Sequence, residues 1–185
     1  MKIGKVDIEL FAVQGHNDPY ATERMIEIPI GRWFLNKYGP KILEIGAVLP
    51  YYQEVTHDVL DPYDKWPKCI RKGVNDVSYE GLNVLSISTI EHVGHDEYNQ
   101  VKNPKDAQEA IDRIRKADTY LVTWAAAYHS ELDNYIINSS DVIKIKRTAF
   151  QKWEVVNDLS GVKFMSPWHC GNGLYVVTNC KDLYA

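Results

Sequence analysis

The sequence predicts an α/β protein with a mostly parallel sheet, an antiparallel last strand and helices on both faces of the sheet. Two observations carry this prediction. Short apolar runs bounded by Gly, Pro, Asn or Asp recur along the chain, and such runs are typical of strands that are buried on both faces. Segments with helical spacing of apolar residues lie between these runs, and strands that alternate with helices favour a parallel sheet.

The strands are predicted in chain order. Short apolar or strand-forming runs predict five of them, at residues 41–46, 56–60, 83–88, 119–123 and 174–178. Residues 141–146 and 152–156 alternate apolar and polar side chains instead. Such alternation indicates more exposed, antiparallel strands toward the end of the chain.

Two segments have the apolar spacing of helices. Residues 21–37 form the first, and Pro29 inside it predicts a kink or a break. Residues 106–116 form the second, which follows the helix-start signal Asn103-Pro104. Its charged side is interpreted as a solvated face.

The composition predicts one globular domain. With 185 residues, of which 45% are hydrophobic and 25% charged, the chain can bury a sizeable core. Residues 1–185 are assigned to a single domain, in which 1–38 form an N-terminal strand or lid and a helix, and 39–185 form the core. A net charge of −4 argues against a general polyanion binder, so no nucleic-acid partner is expected.

The spacing of the cysteines and the residues at the N-terminus predict the cellular compartment of the protein. The three cysteines lack Cys-x-x-Cys spacing, which argues against a disulfide framework and a structural zinc site. No apolar segment follows Met1, and no window reaches the roughly 18 apolar residues of a membrane helix. We therefore expect a cytoplasmic protein, in its own cell or in a host cell, without a membrane partner and either monomeric or homodimeric.

Residues 84–96 are the most informative segment. They begin as an apolar strand and then present Glu91, His92, His95 and Asp96 around a glycine. In an open α/β sheet, ligands bind at the carboxyl ends of strands. An acid-rich helix N-terminus is the alternative interpretation, but histidines add nothing at the positive end of a helix. This segment therefore predicts a reaction site.

Several segments occur in a characteristic order between Asp18 and Thr178. They comprise residues 23–30, 43–52, 57–61, 75–77 and 86–94. In this order they resemble the class I S-adenosylmethionine-dependent methyltransferases, and more narrowly a compact branch of sugar and glycan O-methyltransferases. The resemblance implies a Rossmann-like sheet, S-adenosylmethionine as cofactor and S-adenosylhomocysteine as product.

The resemblance also implies cofactor contacts. In that family, the acid matching Glu44 helps to hold the methionine ammonium, and the acid matching Asp61 accepts hydrogen bonds from the ribose. Asp58 is the alternative to Asp61, because the strand boundary can shift. Asp76 matches the residue that binds the adenine amino group, although a plain Asp turn fits there too. Further predicted contacts are Gly46, Ala47, Val77 and Ser88.

The glycine loop departs from the family pattern. The usual loop has two or three glycines, whereas this chain has Gly46-Ala47-Val48-Leu49-Pro50. Ala47 can replace a second glycine, but Pro50 and the short interval to Thr56 leave room for only a turn or two of helix. The wall of the cofactor site is therefore expected to differ. The sequence also lacks the Gly-x-Gly-x-x-Gly fingerprint of nicotinamide enzymes.

Methyl transfer to a hydroxyl needs a base. Histidine is the most frequent one, so His92 is the first candidate and His95 the second, with Glu91 or Asp96 orienting the imidazole. The same four residues could instead bind a divalent metal that orients a diol. Their spacing matches no recognised ligand pattern, so no residue is assigned as a metal ligand.

The acceptor is predicted to be a small molecule or a glycan. Arg24 is assigned to an anionic group, either a nucleotide-sugar phosphate or the carboxylate of the cofactor. Trp124, Tyr128 and His129 follow the predicted strand at residues 119–123 and are assigned to the acceptor pocket, with an aromatic cluster packed under a loop as the alternative. Two other functions stay open, namely a non-catalytic cofactor-binding scaffold and an enzyme that cleaves S-adenosylmethionine.

Overall fold

A computed structural model describes residues 1–11, 22–39, 41–95, 103, 105–149, 151–165 and 170–184. Asp96, one of the predicted catalytic residues, lies outside the described residues. So do residues 12–21, which make up much of the predicted N-terminal lid.

The described residues form strands, short single turns and three α-helices. The helices are α1 (Arg24–Tyr38), α2 (Lys105–Ile114) and α3 (Ser130–Ile136). The strands are β1 (Lys2–Ile3), β2 (Val6–Asp7), β3 (Ile42–Ile45), β4 (Asp58–Leu60), β5 (Cys69–Ile70), β6 (Asn83–Ile87), β7 (Thr119–Ala125), β8 (Val142–Ala149), β9 (Lys152–Val156), β10 (Phe164–Met165), β11 (Cys170–Gly171) and β12 (Gly173–Thr178).

The central sheet has eight strands in the order β5-β4-β3-β6-β7-β12-β8-β9. The neighbours from β5 to β7 pair in parallel. The last strand, β12, runs antiparallel to both β7 and β8, and β9 pairs antiparallel with β8. The chain leaves β3 toward β4 and β5 and then returns to the other side of β3 with β6. In an open α/β sheet, ligands bind outside the carboxyl ends of the strands at such a reversal.

The sheet separates two apolar cores. Along the strands, alternate residues face opposite sides, so Leu85 packs on the side of α1 whereas Val84 packs on the side of α2 and α3. On the first side, Ile30 and Phe34 of α1 are fully buried. Burial of each such side chain contributes about 1.5–3 kcal/mol. The prediction of helices on both faces is confirmed.

The long elements agree with the sequence-based predictions. All seven predicted strands are present, with bounds that differ by up to three residues, and the antiparallel last strand is confirmed. Both predicted helices are present as α1 and α2. The predictions missed α3 and several two-residue strands, because elements this short leave little periodic pattern.

Helix α1 continues through Pro29, so the predicted break is wrong. Proline has no backbone N–H, and the carbonyl four residues earlier therefore loses its helical donor. That carbonyl belongs to Met25, and it accepts a hydrogen bond from the Phe11 N–H at 3.1 Å instead. The N-terminal segment thus supplies the hydrogen bond that the proline removes.

No helix within these described ranges combines the length and the apolar character needed to cross a lipid bilayer.

Candidate functional site

A cavity of about 610 Å³ lies outside the carboxyl ends of β3, β4, β5 and β6. Its walls are mainly the residues that follow each strand, namely 46–48, 61–65, 73–76, 88–89 and 92–93. This volume falls in the range of about 300–1,000 Å³ that is typical of small-molecule and cofactor sites. Predicted site residues that line the cavity are Arg24, Gly46, Ala47, Asp61, Asp76, Ser88 and His92.

Gly46 ends β3 at the wall of the cavity. Its φ is +82°, and a Cβ at this position would lie 1.9 Å from the Thr89 Oγ1. Glycine is therefore required both by the backbone conformation and by a side chain at the end of β6. The backbone of Gly46 thus lies against Thr89, which is not among the predicted site residues.

Glu44 lies beneath the loop that follows Gly46. Its side chain is fully buried, and its Oε1 accepts hydrogen bonds from the Leu49 N–H at 2.8 Å and the Val48 N–H at 3.1 Å. Its Oε2 lies 2.6 Å from the buried His57 Nε2. Glu44 is not among the described residues that line the cavity. This carboxylate therefore fixes the loop from below, and its contact with the ammonium of a cofactor stays a prediction.

Asp61 directly follows β4 and lines the cavity. Its Oδ2 accepts a hydrogen bond from the Ala47 N–H at 3.1 Å, and its Oδ1 accepts one from the Tyr63 N–H at 2.8 Å. The alternative residue, Asp58, is the first residue of β4 and lies at the other end of the strand. The cavity therefore favours Asp61 over Asp58.

Asp76 belongs to a single 3-10 turn, Val74–Asp76, on the cavity wall. Its Oδ2 accepts a hydrogen bond from the Gly73 N–H at 3.1 Å. The side chain thus closes a turn and also lies on the cavity wall, and its contact with an adenine amino group stays a prediction. Val77 follows this turn and is not among the described wall residues.

Glu27 of α1 ties the helix to the sheet. It is fully buried, and its Oε2 lies 3.0 Å from the Arg24 Nη1. The Ser88 hydroxyl donates to this carboxylate at 2.9 Å, and the Thr123 hydroxyl donates to it at 2.7 Å. Arg24 lines the cavity, so Glu27 holds a cationic side chain at its edge.

Two further carboxylates surround Arg24. Glu23 is 4% exposed and accepts a hydrogen bond from the Gly171 N–H at 2.9 Å. Burial, reinforced by the charge of Glu27, raises the pKa of Glu23 to about 7. Burial and Glu27 likewise raise the pKa of Glu91 well above its usual range. Both acids therefore tend to hold a proton near neutral pH.

Glu91 lies close to the acids of the N-terminal segment and α1. It is 2% exposed, and its charge interacts with Glu27, Arg24 and Glu23. Its Oε2 has no hydrogen-bond partner among the described residues. Glu91 belongs to the single turn Ile90–His92, and its role in orienting an imidazole stays a prediction.

The two histidines of residues 84–96 lie beside Tyr128. The His92 Nδ1 is 3.1 Å from the Tyr128 hydroxyl, and His92 lines the cavity. The His95 ring centroid is 5.6 Å from that of Tyr128 and 5.6 Å from that of His129. The structure thus places His92 at the cavity and puts His95 in an aromatic cluster next to it.

The other predicted acceptor contacts have structural roles. Trp124 is fully buried in the core, and its indole N–H donates to the Asp133 Oδ1 at 2.9 Å. His129 is 2% exposed, and its Nδ1 accepts the Leu132 N–H at 3.1 Å, which caps α3. Neither Trp124 nor His129 is among the described residues that line the cavity, whereas the Tyr128 hydroxyl lies 3.1 Å from the Nδ1 of the wall residue His92.

Five residues that shape the site are not among the predicted site residues. They are His57, Tyr51, Tyr63, Thr89 and Thr123. Tyr51 and Tyr63 lie in the loops that follow β3 and β4. This position after a strand was the sequence signal that could have identified them as site residues. Across the described part of the chain, no group of three or more His, Cys, Asp or Glu side chains is arranged to hold a metal ion.

Comparisons of the chain with protein-family models, curated proteins and solved structures give no significant match.

Proposed function

We propose that this protein is an S-adenosylmethionine-dependent O-methyltransferase that acts on a small polar acceptor, a sugar or glycan hydroxyl. One observation carries the proposal. Residues from separate segments, each assigned by the resemblance to the same cofactor and reaction, line one cavity at the reversal point of the sheet; they are Gly46, Asp61, Asp76, Ser88 and His92. The antiparallel β12 between β7 and β8 also fits the Rossmann-like methyltransferase sheet.

The wall of the cavity fits the chemical groups of this cofactor. Carboxylates outnumber cations on this wall. The carboxylates are Asp61, Asp64, Asp76 and Asp106, and the cations are Arg24 and Lys65. Such a wall favours a ligand with hydroxyl and amino donors and a positive charge. Asp61 would hold the ribose hydroxyls, and Asp76 would hold the adenine amino group. When bound, the cofactor supplies an electrophilic methyl group on a sulfonium sulfur.

His92 would remove the proton from the acceptor hydroxyl. General-base catalysis of this kind contributes about 10²–10⁴-fold to the rate. For the His92 Nε2 to accept a proton, the Nδ1 must carry a hydrogen. The Tyr128 oxygen, 3.1 Å away, can accept that hydrogen and so select this tautomer.

Titration calorimetry with S-adenosylhomocysteine tests the cofactor assignment. We expect the wild-type protein and Asp58→Asn to bind with equal affinity, since Asp58 is exposed and lies at the opposite end of β4. Asp61→Asn should bind at least about 10-fold more weakly, because it loses a charged hydrogen-bond acceptor in the cavity. A wild-type protein that binds no S-adenosylhomocysteine contradicts the proposal and favours a scaffold.

Transfer of a labelled methyl group to a panel of sugars tests the reaction. His92→Gln should keep the affinity for S-adenosylhomocysteine and lose about 10²–10⁴-fold of the transfer rate. Full transfer by His92→Gln would overturn the assignment of the base. Release of adenosyl products without transfer would indicate an S-adenosylmethionine-cleaving enzyme instead.

A further inference from the structure

The segment between β7 and α3 holds an alanine in a left-handed conformation. The φ of Ala127 is +67°, a region that side chains other than those of Asn and Asp seldom adopt. Ala127 is exposed, so packing of its methyl group contributes little to holding this conformation. A backbone in this region persists only where a neighbouring contact keeps it from relaxing.

Asp133 of α3 supplies that contact. Its Oδ2 accepts a hydrogen bond from the Ala127 N–H at 2.7 Å, and its Oδ1 accepts one from the Trp124 indole N–H at 2.9 Å. Each oxygen of the carboxylate therefore has its own donor. Because Trp124 is fully buried in β7, Asp133 ties the loop residue Ala127 to a fixed point in the sheet.

The rest of this segment is held at both ends. The Ala126 N–H donates to the Gly173 carbonyl at 2.9 Å, and the His129 side chain caps the first turn of α3. Between these two points, the conformation of Ala127 determines where the next residue, Tyr128, lies. A change at Ala127 should therefore move Tyr128 without unfolding β7 or α3.

Tyr128 connects this segment to the cavity wall. Its hydroxyl lies 3.1 Å from the Nδ1 of His92, and the centroids of the two rings are 4.9 Å apart. The Tyr128 ring also packs edge-on against Phe164, with the ring centroids 4.7 Å apart. A hydrogen bond weakens steeply when its distance and angle change. The contact with His92 therefore depends on the position that Ala127 gives to Tyr128.

We infer that Asp133 is a positioning residue for the proposed reaction, because it holds Ala127 in the left-handed region and so keeps the Tyr128 hydroxyl on the Nδ1 of His92. This contact keeps the hydrogen of the neutral imidazole on Nδ1 and its basic lone pair on Nε2. The inference rests on the proposed function. Asp133 is not among the described residues that line the cavity, so its effect on the rate must pass through Tyr128.

Two variants isolate the hydrogen bond to Ala127. Asp133→Ala removes both hydrogen bonds of the carboxylate, and it should fold because alanine favours the helix in which it lies. Asp133→Ala/Ala127→Gly also lacks the bond to Trp124, but glycine adopts a positive φ without strain. Any difference between these two variants therefore comes from the backbone at residue 127. Asp112→Asn, an exposed change outside the described cavity wall, is the control.

Nitrogen NMR spectra of His92 report its tautomer, because a ring nitrogen that carries a hydrogen and one that does not have well-separated chemical shifts. At a pH where the ring is neutral, we expect the hydrogen on Nδ1 in the wild type and in Asp112→Asn. Asp133→Ala should move part of the population to the Nε2–H form, and the added Ala127→Gly should restore the Nδ1–H form. A hydrogen on Nε2 in the wild type, an unchanged tautomer in Asp133→Ala, or no recovery with Ala127→Gly would overturn the inference.

Rates of methyl transfer test whether the effect passes through Tyr128. Asp133→Ala should lower kcat by roughly 2- to 12-fold, the loss expected for one hydrogen bond, and should keep the wild-type affinity for S-adenosylhomocysteine. Added to Tyr128→Phe, it should cause no further loss, because both changes remove the same contact. Losses that multiply in the combined variant would overturn the inference. If the tautomer changes as expected but the wild type transfers no methyl group, the proposed function is wrong and the link from Asp133 to His92 stands.

Discussion

The backbone of Gly46 and the side chain of Thr89 lie in direct contact at the reversal point of the sheet. A Cβ on Gly46 would lie 1.9 Å from the Thr89 Oγ1 and 2.6 Å from its Cγ2. Gly46 follows β3 and Thr89 follows β6, so this contact joins the ends of the two strands between which the chain reverses direction. Both residues of this contact line the cavity.

Gly46→Ala should destabilise the fold more than Gly81→Ala does. Both glycines have a positive φ, +82° and +77°, but a Cβ on Gly81 would meet no atom within 4 Å. Gly81→Ala should therefore cost about 1–2 kcal/mol from the backbone conformation alone. Gly46→Ala adds the displacement of Thr89, and it should also weaken binding of S-adenosylhomocysteine. Urea unfolding of the two variants measures the difference, and equal losses would show that the contact with Thr89 is easily relieved.

His57→Leu should destabilise the protein by about 1–3 kcal/mol, because it leaves a buried carboxylate oxygen of Glu44 without a donor. Lys152→Ala is the control. It removes an ion pair with Glu154 in which both side chains are largely exposed, and such pairs contribute little. Denaturant unfolding compares the two variants. Equal, small losses would mean that water or another group replaces the imidazole.

The sequence predicted the strands and the cavity wall better than the hydrogen-bond partners. Asp61 was predictable because it directly follows an apolar run, and the carboxyl end of a parallel strand faces the ligand site. The contact between Glu44 and His57 was not predictable. The two residues lie thirteen positions apart in the chain, and periodicity indicates which face of an element a residue lies on rather than which residues it contacts.

A strand boundary explains another error. The predicted strand that begins at residue 119 ends at residue 123, whereas β7 continues to Ala125. Trp124 therefore lies inside a strand that is buried on both faces and not in the following loop. A shift of two residues at a strand end was enough to move an aromatic side chain from the predicted acceptor pocket to the core.

Tyr128→Phe should slow methyl transfer without changing the affinity for S-adenosylhomocysteine. The variant removes the hydrogen bond to the His92 Nδ1, whose net contribution of about 0.5–1.5 kcal/mol corresponds to a roughly 2- to 12-fold loss in kcat. Tyr135→Phe, which removes a surface hydrogen bond to Asp112, is the control and should leave kcat unchanged. If Tyr128→Phe transfers at the wild-type rate, Tyr128 does not select the tautomer of His92.

The buried Glu23 should make the protein less stable as the pH rises through the neutral range. Burial, followed by the charge of Glu27, raises its pKa from 4.5 to about 7 in the folded protein. Below about pH 4.5 the acid is protonated in both states and adds no penalty. Between these values it ionises in the unfolded chain but stays protonated in the fold, so the free energy of unfolding decreases with increasing pH.

Glu23→Gln removes this dependence. The amide oxygen can still accept the Gly171 N–H, so the variant should fold and should exceed the wild type in stability by on the order of 2–3 kcal/mol above pH 7. The difference should vanish toward pH 4.5, the ordinary pKa of the acid. Glu80→Gln, an exposed change, should run parallel to the wild type at every pH. Urea unfolding between pH 4 and 8 measures the three curves, and a wild-type curve parallel to that of Glu23→Gln would mean that Glu23 is ionised in the fold.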